Sequence, residues 1–315
     1  MNCELKWAAD REATVLHACD LLRRGVDLTE PRLAEALSEP AQRLAHQLDL
    51  AGLTGEQIRQ HLIPLGVQTD SHRQLAETLM RKTIGGLDRW EAYVAPTAGL
   101  VTEACQAAKP LLGPLNARLA ESLTPLHEQC TIHLNALLSG IANQTDQGLI
   151  PSQAEVIALP SLSTNQAGPI GGGTAYILYN MASLEAVPDS ESDATAEESS
   201  PAKSSPPLPE AVRLAWLVAQ LNIDLPMYSE NLPRDAGPLI GALAMLPPAL
   251  VAGEELELCR FDRETLAAAL VRWQIVGPEA PDLTAAVLDW WDTYKASSPP
   301  IPIALGALLR MIEQA

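Results

Sequence analysis

Aromatic side chains are scarce in this 315-residue chain: they make up 4% of it, and Phe261 is its single phenylalanine. A core without rings must be filled by Leu, Ala, Val and Ile, a composition that favours helices packed on helices. Positive charge is scarce as well, 21 Lys+Arg against 39 Asp+Glu, for a net −18. The imbalance is local. Residues 1–93 hold 11 basic and 14 acidic side chains, whereas 94–315 hold 10 and 25. A surface this acidic repels phosphate backbones and anionic lipid. The five cysteines, Cys3, Cys19, Cys105, Cys130 and Cys259, are odd in number and scattered. They form no disulfide framework and point to reduced thiols in the cytoplasm.

Long hydrophobic runs are also wanting. The stretch 238–253, "PLIGALAMLPPALVAG", is apolar but short, and Pro247-Pro248 is expected to break it, so no membrane span is predicted. The first twenty residues carry acids within the first dozen and no apolar core, so they do not read as a secretory signal. Acyl-enzyme chemistry lacks its G-x-S-x-G motif, and "SPAK" at 200–203, which fits S-x-x-K, falls in a stretch that reads as a linker.

What is present is 47% hydrophobic residues, enough for one large or two ordinary domains. The pattern predicts a mainly α protein with a small β element. A helical domain is expected over 1–150, with helices over 8–24, on both sides of Ser38-Glu39-Pro40 within 28–53, and beyond Thr54 and Asp70. A β-hairpin or pair of neighbouring strands is expected at 154–162 and 173–181, inside a 151–186 element. Residues 255–261, "ELELCRF", are a further candidate strand. An acidic Ser/Pro linker follows at 187–209, too polar to offset its ordering entropy, and then a helical region at 210–315.

Three stretches bear on function. "LHEQCTIHL" (126–134) places His127, Cys130 and His133 at steps of three, so any metal centre would draw on these donors. On a regular helix, however, positions six apart diverge by about 120°, and three ligands cannot grip one ion. The H-E-x-x-H pattern fails because residue 131 is Thr. "GPIGGGT" (168–174) has the glycine spacing of a phosphate loop, but Thr174 stands where the lysine belongs, and strand follows rather than helix. No cofactor is predicted. Finally, "LDWWDTY" sets Trp290 and Trp291 about 100° apart on a helix, so that one is expected at the surface as a protein contact.

In 28–53, the Leu33-Ala34…Leu37 segment, the break at 38–40 and the Leu44…Leu48 segment resemble the helix-turn-helix core of bacterial winged-helix regulators. The resemblance implies close helix approach at Ala34 and DNA contact through Arg32, Gln42, Arg43 and His46. Residue 39 departs from it, being Glu where an apolar side chain belongs, and helices rather than a two-stranded wing are expected downstream.

The leading functional reading is a non-catalytic helical adaptor or assembly protein whose partner is another protein and not a membrane. The alternatives are a DNA-binding regulator built on 28–53, and a metal-binding protein or enzyme centred on 126–134.

Overall fold

A computed structural model describes residues 3–84, 90–160, 162, 170–173, 176–180 and 208–314, without 224, 231, 234–235, 274 and 278–280. The protein is mainly α with a small sheet. It forms two compact units, and their limits differ from the boundaries drawn along the sequence: one unit comprises Leu5–Thr124 and Glu155–Ala182, the other Met1–Glu4, Pro125–Ala154 and Ser183–Ala315. Each is taken in turn.

The first unit is built around α1 (Arg11–Arg23). Asp10 caps it, its carboxylate accepting from Glu12 N at 2.6 Å and Ala13 N at 3.2 Å. The helix ends before Gly25, whose φ of +71° suits glycine. Nine consecutive residues, Ala13 to Leu21, are buried, so α1 is surrounded rather than half-exposed as a single apolar stripe would imply. His17 and Asp20 are therefore interior.

The helix-turn-helix expectation fails here. Pro31–Leu50 is one 20-residue helix, α2, and Pro40 lies within it. An interior proline costs about 3 kcal/mol. Leu33, Leu37, Ala41, Leu44 and Leu48 all fall on the buried face of that helix, and burial of each leucine returns about 1.5–3 kcal/mol. Continuity wins over the break. Thr54 then opens a further helical stretch with a capping box to Gln57: a first turn, α3 (Gly55–Gln57), a π-helical segment (Ile58–Leu62) and α4 (Ile63–Gln68). Pro64 lacks the N–H that would bond the Gln60 carbonyl, and the wider turn before it accommodates that gap. α5 (His72–Ile84) and α6 (Glu91–Ala108) complete the packing, α6 lying against both α2 and α5. α7 (Leu112–Gln144) follows.

The sheet has the order β1-β2-β4-β3, with β1 Glu4–Ala8, β2 Gln153–Leu159, β3 Ile170–Gly173 and β4 Tyr176–Asn180. β1 is a strand the periodicity did not reveal. The expected pair, β2 and β4, are neighbours, but they run parallel, Val156 opposite Ile177; the antiparallel partner of β4 is β3. Parallel neighbours cannot be joined by a tight turn, so the intervening chain enters the sheet as β3. The glycines at 171–173 thus belong to a strand, while 168, 169 and 174 of the glycine motif lie outside the described residues. Residues 187–207 of the expected linker, including 200–203, lie outside them too.

The second unit contains the later part of α7 and α8 (Glu210–Gln220), α9 (Pro226–Ser229), α10 (Gly237–Glu255), α11 (Arg263–Arg272), α12 (Thr284–Ser297) and α13 (Ile301–Ile312). α10 corrects two expectations. Pro247-Pro248 does not break it, and the helix is 19 residues long, apolar and long enough by composition to cross a membrane. Of its most apolar window, 72% is buried within the protein, as befits the central helix of a core. A Cβ at Gly253 would come within 3.0 Å of Val212 Cγ2, so α8 and α10 approach closely there. Residues 255–261 are not a strand. Glu255 ends α10, Leu258 N donates back to Gly253 O at 2.9 Å, and Glu257 takes a φ of +59°, which reverses the chain.

Candidate functional site

The three residues of the 126–134 stretch lie on α7 and do not converge. Cys130 is buried in a stripe with Leu126, Leu134, Leu137 and Leu138, whereas His127 is exposed and His133 half-buried. Burial, with a smaller contribution from Glu210, pushes the Cys130 thiol up to about 12. Among the described residues no three His, Cys, Asp or Glu side chains gather as metal ligands would. The other four cysteines behave alike: burial raises Cys3 and Cys259 to about 11, and Cys19 and Cys105 to about 12. All five are free thiols, none held as a reactive thiolate at neutral pH.

Arg32, Gln42, Arg43 and His46 are exposed on the uninterrupted α2. No second helix projects from a turn to carry Gln42, Arg43 and His46 into a groove, and Arg43 Nη1 lies 2.6 Å from Glu103 Oε1 of α6, its charge already answered. Trp290 and Trp291 correct a further expectation. Both are buried, at 2% and 1% exposure, so neither indole reaches the surface. Trp290 Nε1 donates to Ala304 O at 2.8 Å, which ties α12 to α13.

What tertiary structure gathers instead is a set of polar groups in the first unit. His72, at the start of α5, stands between two other helices: its Nδ1 is 2.7 Å from Thr102 Oγ1 on α6, and its Nε2 is 3.1 Å from Glu12 Oε1 on α1. The set has the composition of a hydroxyl-imidazole-carboxylate relay. Its hydrogen bonding argues for a clasp. Thr102 Oγ1 donates its only proton to Ala98 O at 2.8 Å, so the Nδ1–H donates to Thr102 and no base faces the hydroxyl. The N–H groups along the interior of α6 are spent on carbonyls one turn back, leaving no donors for an oxyanion. Replacing His72 with Ala is expected to cost about 1 kcal/mol of stability, the worth of its lost hydrogen bond to Thr102, as read by denaturant titration; an unchanged midpoint would show the clasp to be idle.

Two turns into α1, the buried Asp20 carboxylate meets Arg23 Nη2 at 2.9 Å and Arg24 Nε at 3.0 Å. His17, one turn earlier, is fully buried, and neither ring nitrogen has a hydrogen-bond partner among the described residues. Burial, then the Arg24 charge, lowers its pKa to about 3, so the ring is neutral. No spacing along the chain announces these groups; Glu12, His72 and Thr102 are separated by 60 and 30 residues.

A surface feature of the second unit completes the survey. α13, "IPIALGALLRMI", has Arg310 as its one charged side chain, yet only Ile301, Ala304, Leu305 and Leu308 are buried. Ile303 is 61% exposed, and α9 and α10, which pack against α13, bring Met227 (63%) and Leu239 (37%) to the surface.

The chain matches no family model, and comparison with curated proteins and with solved structures yields no significant match.

Proposed function

We propose that this protein is a non-catalytic helical interaction protein, an adaptor or assembly factor that binds another protein through α13. The observation that carries the reading is the outer face of α13. A helix apolar all round is ordinarily buried all round, and here Pro302, Ile303, Gly306, Ala307 and Leu309 remain partly or wholly exposed. Exposed apolar side chains scattered singly need no explanation; a helix whose outer face carries a single charge, Arg310, and whose packed neighbours α9 and α10 each expose an apolar side chain, Met227 and Leu239, suits a partner's apolar face. The protonated thiols, and a His72 whose Nδ1 is spent on a hydroxyl that itself donates to Ala98 O, support a role without covalent chemistry. Five unbridged cysteines suit a reducing compartment, the cytoplasm.

The test is affinity capture with the wild-type chain and with Ile303→Asp/Met227→Asp, the two compared by quantitative mass spectrometry. A protein held by the wild type and depleted at least about tenfold with the variant, equivalent to about 1.4 kcal/mol, is the expected result. Both side chains are exposed, so the variant should keep the helical circular dichroism of the parent. Equal recovery of every captured protein by the two chains would end the proposal.

A further inference from the structure

Ile303, Gly306, Arg310 and Glu313 follow one another at steps of three and four, so they form one line along the outer face of α13 and just past its end. A Cβ placed on Gly306 would meet nothing within 4 Å, which leaves the middle of that line open to an incoming side chain. Three exposed carboxylates lie on the elements that frame it. Asp289 precedes Trp290, whose Nε1 donates to Ala304 O at 2.8 Å and sets that turn of α12 beside α13. Glu230 ends α9, which packs on α13, and Glu313 follows the last turn of α13 itself. None of the three forms an ion pair among the described residues, whereas Asp292, the next acid along α12, is held by Lys295 at 3.1 Å.

The wider charge has the same sign. Acidic side chains outnumber basic ones 23 to 8 in the unit that contains α13, against 16 to 13 in the other. A second copy of this chain would bring the same excess against it, and an anionic lipid surface would be repelled likewise. An apolar seat in an acidic field is complementary to a basic partner. We infer, resting on the reading of α13 as a docking face, that its occupant is an amphipathic helix of the partner protein, apolar on one side and flanked by Lys and Arg. Apolar side chains of that helix cover Ile303 and Met227 and enter over Gly306, while its basic flanks face Asp289, Glu230 and Glu313. Burial supplies the affinity; charge selects the partner and speeds its approach.

Two synthetic helices of about five turns provide the test, one with a leucine face and lysine flanks, the other with glutamate in place of every lysine. By fluorescence anisotropy, the full chain is expected to bind the lysine peptide at least about tenfold more tightly than the glutamate peptide, the difference shrinking as salt rises. Ile303→Asp/Met227→Asp should weaken the lysine peptide by a similar factor although it adds negative charge; unchanged or tighter binding would mean adhesion to the acidic surface at large and would overturn the inference. A glutamate peptide bound as tightly, and lost with the variant, keeps α13 as the docking face but overturns its preference for a basic helix. If the variant affects neither peptide, both readings fall. Binding to phosphatidylcholine vesicles, or a dimer in sedimentation velocity, that the variant abolishes would assign the face to lipid or to a second copy and overturn the proposal.

Discussion

At pH 4 the His17→Leu variant is expected to be more stable than the wild type by about 3 kcal/mol, the difference set by a folded pKa near 3 against an ordinary 6.5. His17 sits at 0% exposure within nine consecutive buried residues of α1, with no hydrogen-bond partner at either nitrogen among the described residues. Folding therefore holds the ring neutral, whereas the unfolded chain lets it take a proton. Between pH 6.5 and about 3 the unfolded state binds more protons, so stability is complete above the upper limit and is lost as pH falls through this window. Leucine is close in size and cannot titrate. Urea titrations at pH 7 and pH 4, read by hydrogen exchange at the α1 amides, should show a steep acid loss in the wild type and a flatter one in the variant. Parallel pH dependences would mean that His17 finds a partner or opens to water. At pH 7 the variant should also be no less stable, since two orphaned nitrogens leave the core.

Trp291→Ala should cost the second unit about 3–5 kcal/mol, the range for deleting a fully buried indole. The ring is 1% exposed, lies 6.1 Å from Trp290 and 5.6 Å from Tyr294, and carries Lys295 Nζ 5.7 Å from its centroid. A thermal scan of the variant would show an early transition assigned to α10–α13, and a midpoint within a degree of the parent would contradict the burial. Phenylalanine separates the two tryptophans. Trp291 Nε1 has no hydrogen-bond partner among the described residues, so Trp291→Phe gives up volume alone. Trp290→Phe also removes the bond from Trp290 Nε1 to Ala304 O, 2.8 Å, and should be the costlier of the two.

Such contrasts separate what is legible along a chain from what is not. Leu, Ala and the near-absence of rings determined the helical class, and the β-branched and aromatic runs around 154–159 and 176–180 marked two strands, because period and propensity are local properties. Their parallel pairing was not local: it depends on β3 entering the sheet beside β4. Proline was read as a breaker at 40 and at 247–248, yet α2 and α10 run through these positions, since burying several leucines outweighs the bonds a proline removes. Adjacency misled in the same way at His127, Cys130 and His133, three ligand-type residues in seven positions that one helix turns apart. His72, Glu12 and Thr102 meet across three helices, and Asp20 with Arg23 turns inward toward a cavity whose other walls come from α2 and the π-helical segment. Local chemistry decides which residues form helices; only packing decides which of their polar atoms end in the dark and with what beside them.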